Sequence, residues 1–257
     1  MARLKTRHIS LFRLLRDHFL FLTRRQVERI FTLPTNSTNK DLLWLTEAGY
    51  LARRYRADSF AHFQEPVYYL GRLGWQMAGC SMEEYRPYQR RIETRAESDF
   101  DHTLAVYDVY LKFLLETRVD RLLKSDDLCW LEMIDFGNIP DGWIQAGGCE
   151  AFIEVDLGTE SRRVVWTKLA NYASFKSSGS YTRAFPGCAF KVLFITTSEE
   201  HIESLEKITT SDDIWFATME EFLREALNHQ HWFALNGFYA LSIAGEKEMQ
   251  GLQEGLP

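Results

Sequence analysis

Cysteine is scarce in these 257 residues: Cys80, Cys129, Cys149 and Cys188 are the only 4, and no two share a C-x-x-C spacing. That excludes a zinc knuckle or a disulfide framework as the organising device, and reduced thiols of a cytoplasmic protein are the expectation. No apolar run reaches the roughly 18 to 20 residues that span a bilayer, so no membrane partner is expected. The opening stretch is basic and then apolar, but Arg13, Arg16 and Asp17 interrupt it and no small-residue cleavage site follows. It reads as a helix of the first domain, not as a targeting segment. Neither GxxxxGK[ST] nor GxGxxG occurs, so nothing marks a nucleotide-driven motor. Internal repeats and low-complexity tracts are absent too.

What is present is the composition of a folded globular chain, 46% hydrophobic and 26% charged. Aromatic residues make up 14%, enough for large rings to anchor more than one core. The net charge of -6 conceals an asymmetry: residues 1–95 hold 17 Lys and Arg against 9 Asp and Glu, and the remainder holds 13 against 27. Opposed charge in two parts of a chain points to two modules. The basic part can approach phosphate, whereas the acidic part is repelled by it unless a cation intervenes.

Apolar residues at Leu11, Leu14, Leu15, Phe19 and Leu22 share one helix face. Thr23, with Gln26 three residues on, forms a capping box for a second helix that buries Val27, Ile30 and Phe31. A third helix is expected over 37–48, closed by Gly49. Two strands around a polar, arginine-bearing turn follow, then a short helix near 72–79. Three helices and a β-hairpin are the order of a winged helix-turn-helix, here residues 1–80, in which the third helix enters the major groove and the hairpin touches backbone. Asn36, Ser37, Thr38, Asn39 and Lys40 are the candidate groove residues, and Arg24, Arg25, Arg53, Arg54 and Arg56 the candidate phosphate contacts. Use of the same fold for protein contacts alone is the competing reading. Double-stranded DNA is the expected partner, and homodimerisation is common among such modules.

Residues 81–98, polar and charged, read as a linker with helical stretches. From 99 to 228 the pattern alternates: an amphipathic helix from Phe100 to Glu116, strands at 129–134, 141–147 and 151–157, a helix over 161–175, a continuously apolar strand at 190–197, a helix, a strand at 213–218 and a last helix. This predicts an α/β (α+β) domain with a mixed sheet. Residues 229–257 are left as a C-terminal extension.

Within that domain Asp141 opens a strand after Pro140. Glu154 and Asp156 alternate along the next strand and so share a face. Lys168 and Tyr172 stand four apart on the following helix and share one too. Carboxylates of this kind hold Mg²⁺ or Mn²⁺ through oxygen, and a lysine stabilises developing charge in phosphodiester cleavage. Asp141, Glu154 and Asp156 are therefore candidate metal ligands, and with Lys168 and Tyr172 the candidate catalytic set.

The segment PDGWIQ…AFIEVDLGTES resembles the PD-(D/E)xK pattern of restriction-endonuclease-like nucleases, with Asp141 at the first acidic position and Glu154 at the second. Asp156 stands where the pattern has lysine; Lys168, on the neighbouring helix, is the replacement that some members of that superfamily imply. Over roughly residues 10–220 the chain is similar to the replication-relaxation proteins of plasmids and mobile elements. The PD…EVDxGTES…KLxxY block is the most telling part of that similarity. The resemblance implies a winged helix joined to a nuclease-like domain, and a setting in plasmid replication or DNA relaxation. Two functions remain open: a DNA-binding protein with a metal-dependent nuclease domain, and a DNA-binding regulator or initiator whose nuclease-like domain no longer cleaves and serves dimerisation or partner binding.

Overall fold

The computed structural model describes residues 3–55, 65–128, 139–146, 149–209, 211–227, 231–234 and 237–240. They fall into two compact units, one within Met1–Tyr107 and one within Asp108–Met249.

The first unit begins with α1 (Thr6–Asp17), β1 (Leu22–Thr23), α2 (Arg24–Phe31) and α3 (Thr35–Glu47), followed by β2 (Leu51–Arg54), β3 (Val67–Leu70), α4 (Arg72–Met77) and α5 (Met82–Glu93). The α2 start follows from its cap: Thr23 Oγ1 accepts from Gln26 N and Gln26 Oε1 from Thr23 N, which satisfies two otherwise orphaned N–H groups. Gly49 after α3 has φ +77°, a left-handed conformation that glycine adopts without steric cost, and it turns the chain into β2. The three strands pair antiparallel in the order β1-β3-β2. Leu11, Phe12, Leu15, Val27, Leu42, Leu45, Leu51 and Leu70 form the buried core.

The stretch 81–98, read from sequence as a linker, is built into this unit. Ile92 of α5 is fully buried, and Tyr88 packs on Trp75 with ring centroids 4.4 Å apart. The remaining residues of the stretch lead into α6 (Glu97–Glu116), and the boundary between the units falls within that helix.

The second unit continues with β4 (Val119–Lys124), α7 (Ser125–Leu128), β5 (Gly142–Ala146), β6 (Cys149–Val155), α8 (Arg162–Ser177), α9 (Ser180–Ala184), β7 (Val192–Thr196), α10 (Glu199–Glu206), β8 (Ile214–Thr218), α11 (Met219–Arg224), β9 (His231–Ala234) and β10 (Gly237–Ala240). The seven strands form one mixed sheet, ordered β10-β9-β8-β7-β6-β5-β4. β6, β7 and β8 are parallel neighbours, with α8 and α10 in their crossovers; the strands outside them pair antiparallel. β7 and β8 are buried along their whole length, which is why they read as unbroken apolar runs. The core against α8 is aromatic: Trp143, Phe152, Tyr172, Phe175, Tyr181 and Phe185 are all buried.

Two features differ from the sequence reading. β4 was not foreseen because VDRLLK carries three charges; it lies at one edge of the sheet, where charged outward positions keep an exposed strand from pairing with other chains. β9 and β10 fall in the segment 229–257 assigned to an extension, and they prolong the sheet beyond β8. The strand expected at 129–134 lies outside the described residues.

Candidate functional site

The residues singled out in the sequence fall into two groups, one in each unit. In the first unit α3 is tied to the start of α1 through Asp41, whose carboxylate accepts from Arg7 and lies 3.1 Å from Lys5 Nζ and 3.2 Å from His8 Nε2. Burial works to raise this carboxyl, but the bonds from Arg7, Lys5 and His8 outweigh it and hold it below the usual carboxylate range. The N-terminal turns of α3 are thereby fixed. Asn36, Asn39 and Lys40 are exposed there and Ser37 is half-buried. Thr38 is not available for a groove contact: it is buried and donates to the Pro34 carbonyl.

The arginines divide in the same way. Arg25 keeps 79% of its side chain exposed while lying 3.6 Å from Glu65, and Arg53 is exposed with its guanidinium over the Tyr55 ring. Arg24 is engaged by Glu28 at 2.8 Å and Glu65 at 3.3 Å. Arg54 is structural: it donates to the carbonyls of Ile92, Glu93 and Arg95 and pairs with Glu97 at 2.6 Å. It closes the orphaned C-terminal carbonyls of α5, a partner that no local pattern could announce. Arg56 lies outside the described residues.

In the second unit the centre forms where β5, β6 and α8 meet. Pairing of Gly142 with Ile153 brings Asp141, just before β5, across from Glu154. Asp141 Oδ2 accepts from Val155 N at 2.8 Å, and its carbonyl accepts from the Tyr110 hydroxyl of α6. Gly142 is needed there, because a Cβ would collide with Tyr110. Glu154 is 1% exposed. Its Oε1 accepts from the Tyr172 hydroxyl at 2.5 Å and its Oε2 lies 3.4 Å from Lys168 Nζ. Lys168 also pairs with Glu160 at 2.7 Å. Burial pushes the Glu154 carboxyl up to about 7, with the Asp141 charge acting in the same direction and Lys168 and Tyr172 opposing. Burial alone would lower Lys168, yet Glu154 and Glu160 together raise it. Glu160, within the quoted GTES stretch, is the member of this group that sequence reasoning passed over.

Asp156 does not join that group. It is 3% exposed; its Oδ1 accepts from Gly158 N at 2.9 Å, and its Oδ2 makes no hydrogen bond and lies 3.4 Å from His201 Nε2 on α10. His201 in turn contacts Thr196 Oγ1 at 3.0 Å. A single histidine in a helix carries no signal of this partnership in the sequence.

Asp141, Glu154, Lys168 and Tyr172 are thus neighbours, whereas Asp156 is turned to a different partner. Carboxylate oxygens are the right donors for Mg²⁺ or Mn²⁺. As arranged they do not fit one: both oxygens of Glu154 are engaged, and the described residues contain no group of three or more His, Cys, Asp or Glu side chains placed to hold a metal. The Lys168 ammonium supplies the positive charge instead.

Among the described residues no helix is long and apolar enough to cross a membrane. Searches of the curated proteins and of the solved structures found no match. A family model described as replication-relaxation matches residues 12–187, from within α1 to just past α9 and well over half of the 257 residues. The chain therefore belongs to the replication-relaxation family.

Proposed function

We propose that this protein binds duplex DNA in plasmid or mobile-element replication through a winged helix-turn-helix in its first unit, and that its second unit is a nuclease-like fold whose acidic centre is closed by its own lysine. The observation that carries the first part is the exposed polar turn of α3, with Asn36, Asn39 and Lys40, in a unit that also exposes Arg25 and Arg53. The helix order α1, α2, α3 followed by the antiparallel β2 and β3 accords with a recognition helix and a wing. The engagement of Glu154 by Lys168 and Tyr172 supports the second part. On this reading the α/β unit serves assembly or partner binding, and the chain acts as a regulator or initiator.

A salt titration of duplex binding tests the DNA reading. Lys40→Ala with Arg53→Ala should weaken binding and lower the slope of log K against log[salt] by about 2, since each phosphate contact contributes about 0.9. An unchanged slope removes α3 and the wing from the interface. For the second unit the measurement is nicking of supercoiled plasmid in Mg²⁺ or Mn²⁺. No nicking is expected. Nicking by the native chain that disappears in Glu154→Ala would instead favour the metal-dependent nuclease, for which Asp141, Glu154 and Lys168 are already adjacent.

A further inference from the structure

Helix α5 takes no part in the duplex-docking surface proposed above, yet towards its C-terminal half it exposes arginines, with the glutamates Glu83, Glu84 and Glu93 exposed at its two ends. Arg86 and Arg90 stand four apart, so they share a face, and both are exposed, as is Arg91 beside them. No ion pair involving Arg86 or Arg90 occurs among the described residues. With Pro87, Gln89, Glu93 and Thr94 they line an open concavity, in which three arginines face a single glutamate. Two like charges at this spacing oppose helix formation by themselves, so the helix has to be held by other means.

It is held firmly. The Tyr88 hydroxyl donates to the Leu20 carbonyl at 3.1 Å and accepts from Leu70 N at 2.9 Å. Ile92 is fully buried, and Arg54 grips the carbonyls at the C-terminal end. These contacts also say on which side of the three-stranded sheet α5 lies. Neighbouring residues of a strand point to opposite faces. Arg54 reaches α5, and Tyr69, paired across the strands with Ala52 on the Arg54 face, has its ring 6.4 Å from that of Tyr88. Arg53 therefore projects from the other face. The unit presents guanidinium groups in two opposite directions.

We propose that the Arg86–Arg90 face of α5 is a second site for the phosphate backbone of duplex DNA, so that one chain holds two duplex segments at once. The inference rests on the reading that the first unit binds DNA. It uses the same charge complementarity, exposed cations on a held helix against a polyanion, on a surface that the winged-helix geometry leaves unassigned.

A bridging assay with the full chain tests it. One duplex is immobilised on beads, a second fluorescent duplex is free, and single-duplex binding is followed in parallel by gel shift. The native chain is expected to carry the fluorescent duplex onto the beads. Arg86→Ala with Arg90→Ala should keep single-duplex binding and the native melting temperature but lose capture, and Arg86→Lys with Arg90→Lys should retain it. Capture by the alanine variant equal to that of the native chain would overturn the proposal, and is also the result expected if two copies bridge through their α3 surfaces. Native binding of one duplex without capture sinks the second site and leaves the docking reading standing. If the native chain shifts no duplex at all, both fall together.

Discussion

Removing the Lys168 ammonium would leave Glu154 buried with no cation beside it. Breaking one partner of a buried pair costs about 3–5 kcal/mol, whereas replacing both by neutral groups of similar size is often close to neutral. Lys168→Ala is therefore expected to destabilise strongly in denaturant unfolding, and Lys168→Met with Glu154→Gln to recover most of the loss. A single variant no worse than the double would show that the pair is not structural. Glu154 also sets a pH dependence. Its folded value of about 7 lies above the ordinary 4.5, so the fold favours the protonated form. The stability it contributes is complete below about 4.5 and is lost as pH rises towards about 7. Melting temperatures of the native chain and Glu154→Gln should accordingly diverge in favour of the variant between about pH 5 and about pH 8. A gap that stays constant across that range contradicts the buried, protonatable carboxyl.

Among elements, α5 depends most on residues distant in sequence. Tyr88 bridges Leu20 and Leu70, and Tyr88→Phe leaves a carbonyl and an N–H in search of partners, at a cost of about 1–3 kcal/mol for each buried group left unsatisfied. Hydrogen exchange of the α5 amides should accelerate in this variant while α2 and α3 keep their protection; uniform acceleration across the first unit would mean that α5 is no separate element of stability. The caps of α2 and α8 belong to the same scale. Ser161 accepts from Val164 N at the start of α8, which orients the helix that carries Lys168 and Tyr172.

Across the whole molecule, each unit has its own core, and charge is divided between them. Phe152 lies at the centre of the aromatic core of the second unit, touching Tyr172, Phe175, Tyr181 and Phe185. Phe152→Ala should cost about 3–5 kcal/mol there. Duplex binding, if it belongs to the first unit, should persist with unchanged salt dependence at temperatures where the variant remains folded. Loss of binding at such temperatures would assign part of the DNA contact to the second unit.

Much of this was legible in local pattern. The capping box Thr23–Gln26, the glycine ending α3, the apolar runs of β7 and β8 and the i, i+4 pairing of Lys168 with Tyr172 are set by spacing within a few residues, and spacing is what a sequence displays. The replication-relaxation family was legible for the same reason, in the block from Pro140 to Tyr172. Partnerships between distant residues were not. Arg54 reads as a phosphate contact until α5 is found beside it, nothing local announces that His201 stands beside Asp156, and the charged β4 shows itself as a strand only at the edge of a sheet. The sequence by itself determined the helices and strands with a strong local pattern, and which acidic and basic residues were available to a site. Only the tertiary structure decided which of those charges are consumed by one another, because burial and pairing depend on what the fold brings within a few ångströms.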